Sequence, residues 1–274
     1  MNQKSLSLKH NTKMRYLGVI KKFKGTKSSV TETELKVLRI VSSGANLIID
    51  AGARTDTYFA SIKDAKCQAI LIEANPEFSR ILKKRTQKYA NVIVKNVKIS
   101  NENKPETAVT YFTRSQSFDY NPLYGDEESK VIKLETRTVE SLIEEAGFDK
   151  VDFYKSDIEG YDLMALMGLG KYLSTASYLQ FEMSTHLKLR GRKIEIQDYT
   201  DLLEKNFELF VMRDDQHSIW KNNMSSCDLI PFDFATQQKV RFFQQFGEGI
   251  NIFAVNKSST PFKLNQFSIG LLNG

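Results

Sequence analysis

Apolar and polar positions follow two rhythms along this chain, and the changes of rhythm lay out the elements. Residues 46–50, Asn-Leu-Ile-Ile-Asp, form a short apolar run that rises from Ser42-Ser43-Gly44 and ends on an acid. A run of this length, bounded by Gly and Ser, reads as a buried strand. Residues 55–66 carry Tyr58, Phe59 and Ile62 at helical spacing. The strand–helix unit then repeats. Residues 68–73 read as a strand and 77–88 as a helix, with Asn75 as cap and Pro76 in the first turn, where a missing N–H is harmless. Strands follow at 91–97, 151–156 and 177–183, with helices at 161–167 and 194–205. Two more strands, 207–212 and 250–255, close the series with no helix expected between them. Ahead of the first strand, Leu35, Leu38 and Val41 give an apolar face to a helix that starts near Thr31 or Thr33.

One stretch breaks the βαβ pattern. Residues 107–112 and 131–137 alternate strictly, as the two arms of an antiparallel excursion do. Between them, 113–129 is rich in Ser, Asp, Asn, Pro and Gly. A loop this long inside a compact domain is usually functional or disordered, and here it is expected to act as a lid. Thr138 opens a short helix that Gly147 stops. There is no internal repeat and no linker that would split the chain. The expected organisation is a loosely ordered basic arm at 1–29, one α/β domain at 30–256 and an extension at 257–274.

Composition narrows the classes. With 41% hydrophobic and 26% charged residues, the chain is too apolar for a disordered protein and ordinary for a globular one. No apolar run reaches the ~18–20 residues of a membrane span. No apolar segment follows the basic N-terminus as in a secretory leader, so a cytoplasmic protein is expected. Cys67 and Cys227 form neither a CxxC pair nor a zinc spacing, so no structural metal is expected. The net charge of +6 is unevenly spread: residues 1–31 hold eight Lys and Arg and no acid, which leaves −2 for the rest. The basic arm fits an anionic partner or a solubilising tail, and the domain itself is not a basic surface.

Candidate chemistry gathers at the strand ends, where ligands of doubly wound sheets bind. Asp50 closes the first strand. Gly52 allows a sharp turn and close approach of the Gly52 and Ala53 backbone to a ligand. Glu73 closes the second strand, at the position where an acid bonds ribose hydroxyls. Asn96 closes the third. The fourth runs into Lys155-Ser156-Asp157-Ile158-Glu159-Gly160-Tyr161-Asp162. Carboxylates this close raise one another's pKa, which suits a proton acceptor. Glu159 and Asp162 can equally cap a helix N-terminus. Glu182 closes the fifth strand, and His186 beyond it is an alternative base.

These stretches resemble the FkbM family of class I S-adenosylmethionine (SAM) methyltransferases. Asp50-Ala51-Gly52-Ala53 resembles the family's Asp-x-Gly-Ala-x-x-Gly, except that Asp56 stands where the second glycine would be. Ile72-Glu73-Ala74-Asn75-Pro76 resembles its Glu-Pro-Asn-Pro segment. Residues 152–162 match every fixed position of Asp-x-x-Lys-x-Asp-x-Glu-Gly-x-Glu/Asp, and Gln180-Phe181-Glu182 matches its fifth strand. The resemblance spans about residues 46–255. It implies a doubly wound α/β fold, a seven-stranded Rossmann-like sheet in the order 3-2-1-4-5-7-6 with helices on both faces. It implies SAM as cofactor, held by Asp50, Gly52, Ala53, Glu73, Asn75 and Asn96. It further implies O-methylation of a sugar or small-molecule hydroxyl, with Asp157, Glu159 and Glu182 as catalytic residues. No metal is required, although those three carboxylates could share one if they converge. A like charge such as Asp56 within ~4 Å of the donor's carboxylate would cost a few kcal/mol, which Arg54 could offset. Two alternatives follow: a non-catalytic or altered-donor binding protein, or an RNA 2′-O-methyltransferase supported by the basic arm. A nicotinamide-dependent dehydrogenase would need Gly-x-Gly-x-x-Gly after the first strand, and only one glycine is there.

Overall fold

The computed structural model describes residues 32–55, 66–112, 129–158, 160–185, 188–189, 192–212, 227–244, 249–259 and 266–269. The basic arm, the helix expected at 55–66, Asp56, the lid candidate, Glu159 and His186 therefore lie outside the described residues, apart from the first and last positions of that helix and the last of the lid.

The strands, in chain order, are β1 (Leu47–Ala51), β2 (Gln68–Ile72), β3 (Val92–Lys95), β4 (Lys98–Ile99), β5 (Lys104–Phe112), β6 (Ser129–Arg137), β7 (Phe153–Ser156), β8 (Tyr178–Met183), β9 (Lys188–Leu189), β10 (Arg192–Lys193), β11 (Phe207–Met212), β12 (Leu229–Pro231) and β13 (Ile250–Asn256). The helices are α1 (Glu32–Ser42), α2 (Pro76–Thr86), α3 (Val139–Glu145), α4 (Asp162–Met167), α5 (Ile196–Leu203) and α6 (Phe234–Gln244). An eight-stranded sheet in the order β12-β11-β13-β8-β7-β1-β2-β3 is the centre of the molecule. Neighbours from β3 to β8 pair in parallel, and β13, β11 and β12 pair antiparallel.

The sheet has one strand more than the sequence suggested, and α6 fills the gap where no helix was expected. β12 has three residues, too few to show a period, and exists because the edge of β11 pairs with it. The excursion is a hairpin of β5 and β6 with β4 alongside, in a separate three-stranded sheet.

Period-two alternation sends side chains to both faces. On one face, Ile49, Ile70, Tyr154, Leu179 and Phe181 pack with α3, α4 and α5. On the other, Ile48, Leu71, Phe153 and Phe253 pack under Val37, Leu38 and Val41 of α1 and Leu82 of α2. The buried face of α1 is rotated from the expected one: Thr33, Glu34, Val37, Leu38 and Val41 are buried, whereas Leu35 is half-exposed. Burial of an acid inside this face has a cause in the site below. Residues 266–269, part of the expected extension, lie against α1 and β12. Phe267 is buried under the Lys36 ammonium, and Ser268 bonds Asp228. Among the described residues no helix is long and apolar enough to cross a membrane.

Candidate active site

Four neighbouring strands, β2, β1, β7 and β8, end side by side. Leu71 pairs with Asp50, Asp50 with Lys155, and Lys155 with Gln180, so these four residues form one row on one face. The ladders run one residue past the strands: the Glu73 N–H donates to Lys95 O and the Asp157 N–H to Ala51 O. Two residues beyond the row, on the same face by alternation, come Glu73, Asp157 and Glu182.

Asp50 and Lys155 are the buried centre. Asp50 is 1% exposed and Lys155 6%. The Lys155 Nζ lies 3.2 Å from Asp50 Oδ1 and 3.9 Å from Asp157 Oδ2. Apart from this ion contact, neither oxygen of Asp50 has a hydrogen-bond partner among the described residues. Burial pushes the Asp50 carboxyl above the usual range; Lys155 opposes the rise and Asp157 adds to it. Burial works against the Lys155 charge, but Asp50, Asp157 and Glu34 outweigh it and hold its pKa above that of an ordinary lysine. Lys155 is therefore a fixed cation and no proton acceptor. The sequence reading left Gln180 and Glu34 without a role in this set. Gln180 Nε2 donates to Glu34 Oε1 at 2.8 Å, and both residues are buried. This bond draws the acid of α1 inward.

The turn after β1 is built for close contact with its neighbours. Gly52 has φ +85°, and a Cβ there would lie 2.1 Å from the Asp157 carbonyl oxygen. Its N–H and that of Ala53, expected to face a ligand, both donate to Ile72 O. Arg54 also adopts a positive φ, 50°, and its N–H donates to Glu73 Oε2 at 2.8 Å. The Asn75 N–H donates to Glu73 Oε1 at 2.6 Å. Glu73 is thus the brace between two loops. Burial raises its pKa, and the Asn75 and Arg54 N–H groups pull it back. Asn75 Oδ1 caps α2 by accepting from the Glu77 and Phe78 N–H groups. Asn96 Nδ2 donates to the carbonyls of Glu73 and Ala74. Gly52→Ala is expected to lower the unfolding free energy by about 2 kcal/mol or more, from left-handed strain plus the backbone clash. The urea midpoint reads this, and an unchanged midpoint would show that the two loops yield freely.

The Asp157 side chain is 53% exposed. Glu182 is half-buried, its carboxylate set against Gly249, where a Cβ would come within 2.1 Å of Oε1. Asp162, expected only as a helix cap, is fully buried at the start of α4. Its Oδ1 accepts from the Ser156 hydroxyl at 2.5 Å, closing a clasp across the loop that carries Asp157. Burial, reinforced by Asp157, lifts its pKa to about 7, against the pull of the Ser156 hydroxyl, Lys155 and the Ile158 N–H. An acid whose folded pKa is raised binds more protons folded than unfolded, so stability falls as pH rises from about 4 to about 7. Asp162→Asn is expected to remove this slope, leaving the variant the more stable of the two at pH 8 by up to a few kcal/mol. Parallel stability profiles between pH 4 and 8 would contradict it.

The decisive comparison is with the methyltransferase FkbM domain, whose sequence model matches residues 44–213, well over half of the chain. The protein belongs to the FkbM methyltransferase family. The matched segment runs from just before β1 through β11 and contains every site residue named so far except Glu34 and Gly249. No curated protein matches this FkbM chain. Among solved structures, an O-methyltransferase from Bacillus cereus in complex with SAH is similar over 88% of this chain and 89% of its own, at 11% identity and a TM-score of 0.45. A TehB-like SAM-dependent methyltransferase from Corynebacterium glutamicum aligns over 93% and 100%, at 12% identity and 0.41. A SAM-dependent O-methyltransferase from Thermotoga maritima aligns over 88% and 71%, at 13% identity and 0.40.

FkbM methyltransferases use SAM, and the strand ends of this one fit that cofactor. SAM carries a sulfonium and an ammonium. Asp50 offers a buried carboxylate whose oxygens, among the described residues, meet only the Lys155 ammonium. The Glu73 oxygens each accept one N–H and keep lone pairs for hydroxyls. Asn96 spends its amide N–H groups on backbone carbonyls and keeps its oxygen. Among the described residues no group of three His, Cys, Asp or Glu is placed to hold a metal ion. Asp162 and Glu34 are the residues that sequence reading missed. The first was visible as the last acid of the residue 152–162 motif; the second carried no local signal.

Proposed function

We propose that this protein methylates a hydroxyl oxygen of a sugar or another small molecule, with Asp157 orienting the hydroxyl and accepting its proton. The observation that carries the reading is the division of labour among the charged groups. Asp50 and Lys155 are buried against each other, Glu73 is bonded to two loops, and Asp157 keeps its carboxylate half-exposed at the strand ends. Asp50, Glu73 and Asn96 would hold the donor, and Gly52 lets the loops of β1 and β7 meet beneath it. Bound there, SAM would supply an electrophilic sulfonium methyl group for transfer to the acceptor oxygen, with S-adenosylhomocysteine as the leaving group. Lys155 stays protonated, with its Nζ 3.9 Å from Asp157 Oδ2. The enzyme's main contribution is positioning, which alone can account for a large part of such a rate.

The test is transfer of label from methyl-labelled SAM onto separate pools of sugars, lipids and RNA. Label in the sugar or small-molecule pool supports the reading. Label confined to RNA or lipid refutes the acceptor class, and absence of both transfer and SAM binding refutes the reading as a whole.

A further inference from the structure

We propose that Glu34 and Gln180 are specificity-determining residues of the donor site, which tune it toward a cationic donor over its neutral product. The inference rests on the SAM-dependent reading above. It starts from a placement that the family pattern does not contain, since Glu34 lies ahead of the matched segment at 44–213.

The row Asp50–Lys155–Gln180 crosses three adjacent strands, and Glu34 closes it from the helix packed above. Glu34 is 5% exposed and Gln180 1%, so their hydrogen bond is held out of water. A buried acid on a largely apolar helix face is costly unless it is hydrogen-bonded or paired. Its charge reaches the Lys155 ammonium, as do those of Asp50 and Asp157. α1 is held in place independently, by Val37 and Leu38 in the core and by Lys36 on Asp228 at 2.8 Å. The carboxylate of Glu34 is thus a fixed part of the field at the strand ends rather than a mobile surface charge.

SAM and S-adenosylhomocysteine differ by one methyl group and one positive charge. Any change in packing or loop order weakens both alike. A change in the fixed charge of the row alters the first more than the second. The ratio of the two affinities therefore reads the electrostatic role alone, with no acceptor needed. A site that favours the charged donor also releases the neutral product more easily.

Calorimetric titration of the full chain with each compound tests this. Glu34→Gln is expected to shift the affinity ratio toward S-adenosylhomocysteine on the order of tenfold, the scale of a unit charge acting over ~10 Å at an effective dielectric of ~20. Glu34→Asp keeps the charge and is expected to keep the ratio. Should Glu34→Gln not fold, Glu34→Met removes the same charge with an apolar side chain suited to the buried helix face and is expected to move the ratio the same way. An unchanged ratio, whether the affinities hold or fall together, overturns the inference and leaves the methyltransferase reading intact. Wild-type protein that binds neither compound overturns both.

Discussion

Lys155→Met is expected to cost ~3–5 kcal/mol of unfolding free energy, the usual effect of removing one partner of a buried ion pair. Asp50 would then be left 1% exposed with no cation beside it. Its pKa, already raised by burial, would rise further, because the pull of Lys155 in the other direction is gone. The sign of the pH dependence follows. A neutral Asp50 needs no counter-ion, so the defect of Lys155→Met should shrink as pH falls below neutrality. In the wild type the Lys155 pKa is raised above that of a free lysine. Its contribution is therefore complete at neutral pH and fades only in strong alkali. The double variant Asp50→Asn/Lys155→Met should recover most of the loss, since replacing both partners removes the orphaned charge. Urea unfolding at pH 5.5 and 7.5 measures the wild type and both variants. A Lys155→Met midpoint equal to wild type at both values would show that the pair is not the buried centre of the site.

Asp157→Asn is expected to reduce methyl transfer by ~10²–10⁴, the range for loss of a positioned proton acceptor. Stability should move by less than about 0.5 kcal/mol, because the side chain is 53% exposed and its ion contact is long. Affinity for SAM should change little, since Asp50 and Glu73 are untouched. The measurement is label transfer onto the pool that the wild type labels, beside a SAM titration of the same preparation. Transfer within a factor of three of wild type would remove Asp157 from the chemistry. Lost SAM binding would move it to the donor site. Asn is preferred to Ala here because it keeps the side-chain volume and removes only the carboxylate's charge and basicity.

Much of the frame was legible along the chain. The apolar runs before Asp50, Glu73, Ser156 and Met183 each became a strand of the central sheet, displaced by a residue or two at the ends. Their length and β-branched content leave few other structures open to them. Asn75 and Thr138 cap their helices as read, because a side-chain oxygen that accepts from an N–H two or three residues on is a local arrangement. The misses have one character. β12 has no period of its own and needs the edge of β11. α6 went unseen between the last two strands. The N–H groups of Gly52 and Ala53 turned to Ile72, a partner supplied by the neighbouring strand.

By itself, then, the sequence determined which residues end the strands and which family of site they compose, since both depend on neighbours within about ten positions. Only the tertiary structure decided how those ends divide their work. Gln180 meets Glu34 across 146 positions, and Lys155 sits between Asp50 and Asp157 through strand register. The reason is physical: burial and pairing set the charge of a carboxylate, and neither is a property of the chain until strands and helix have met.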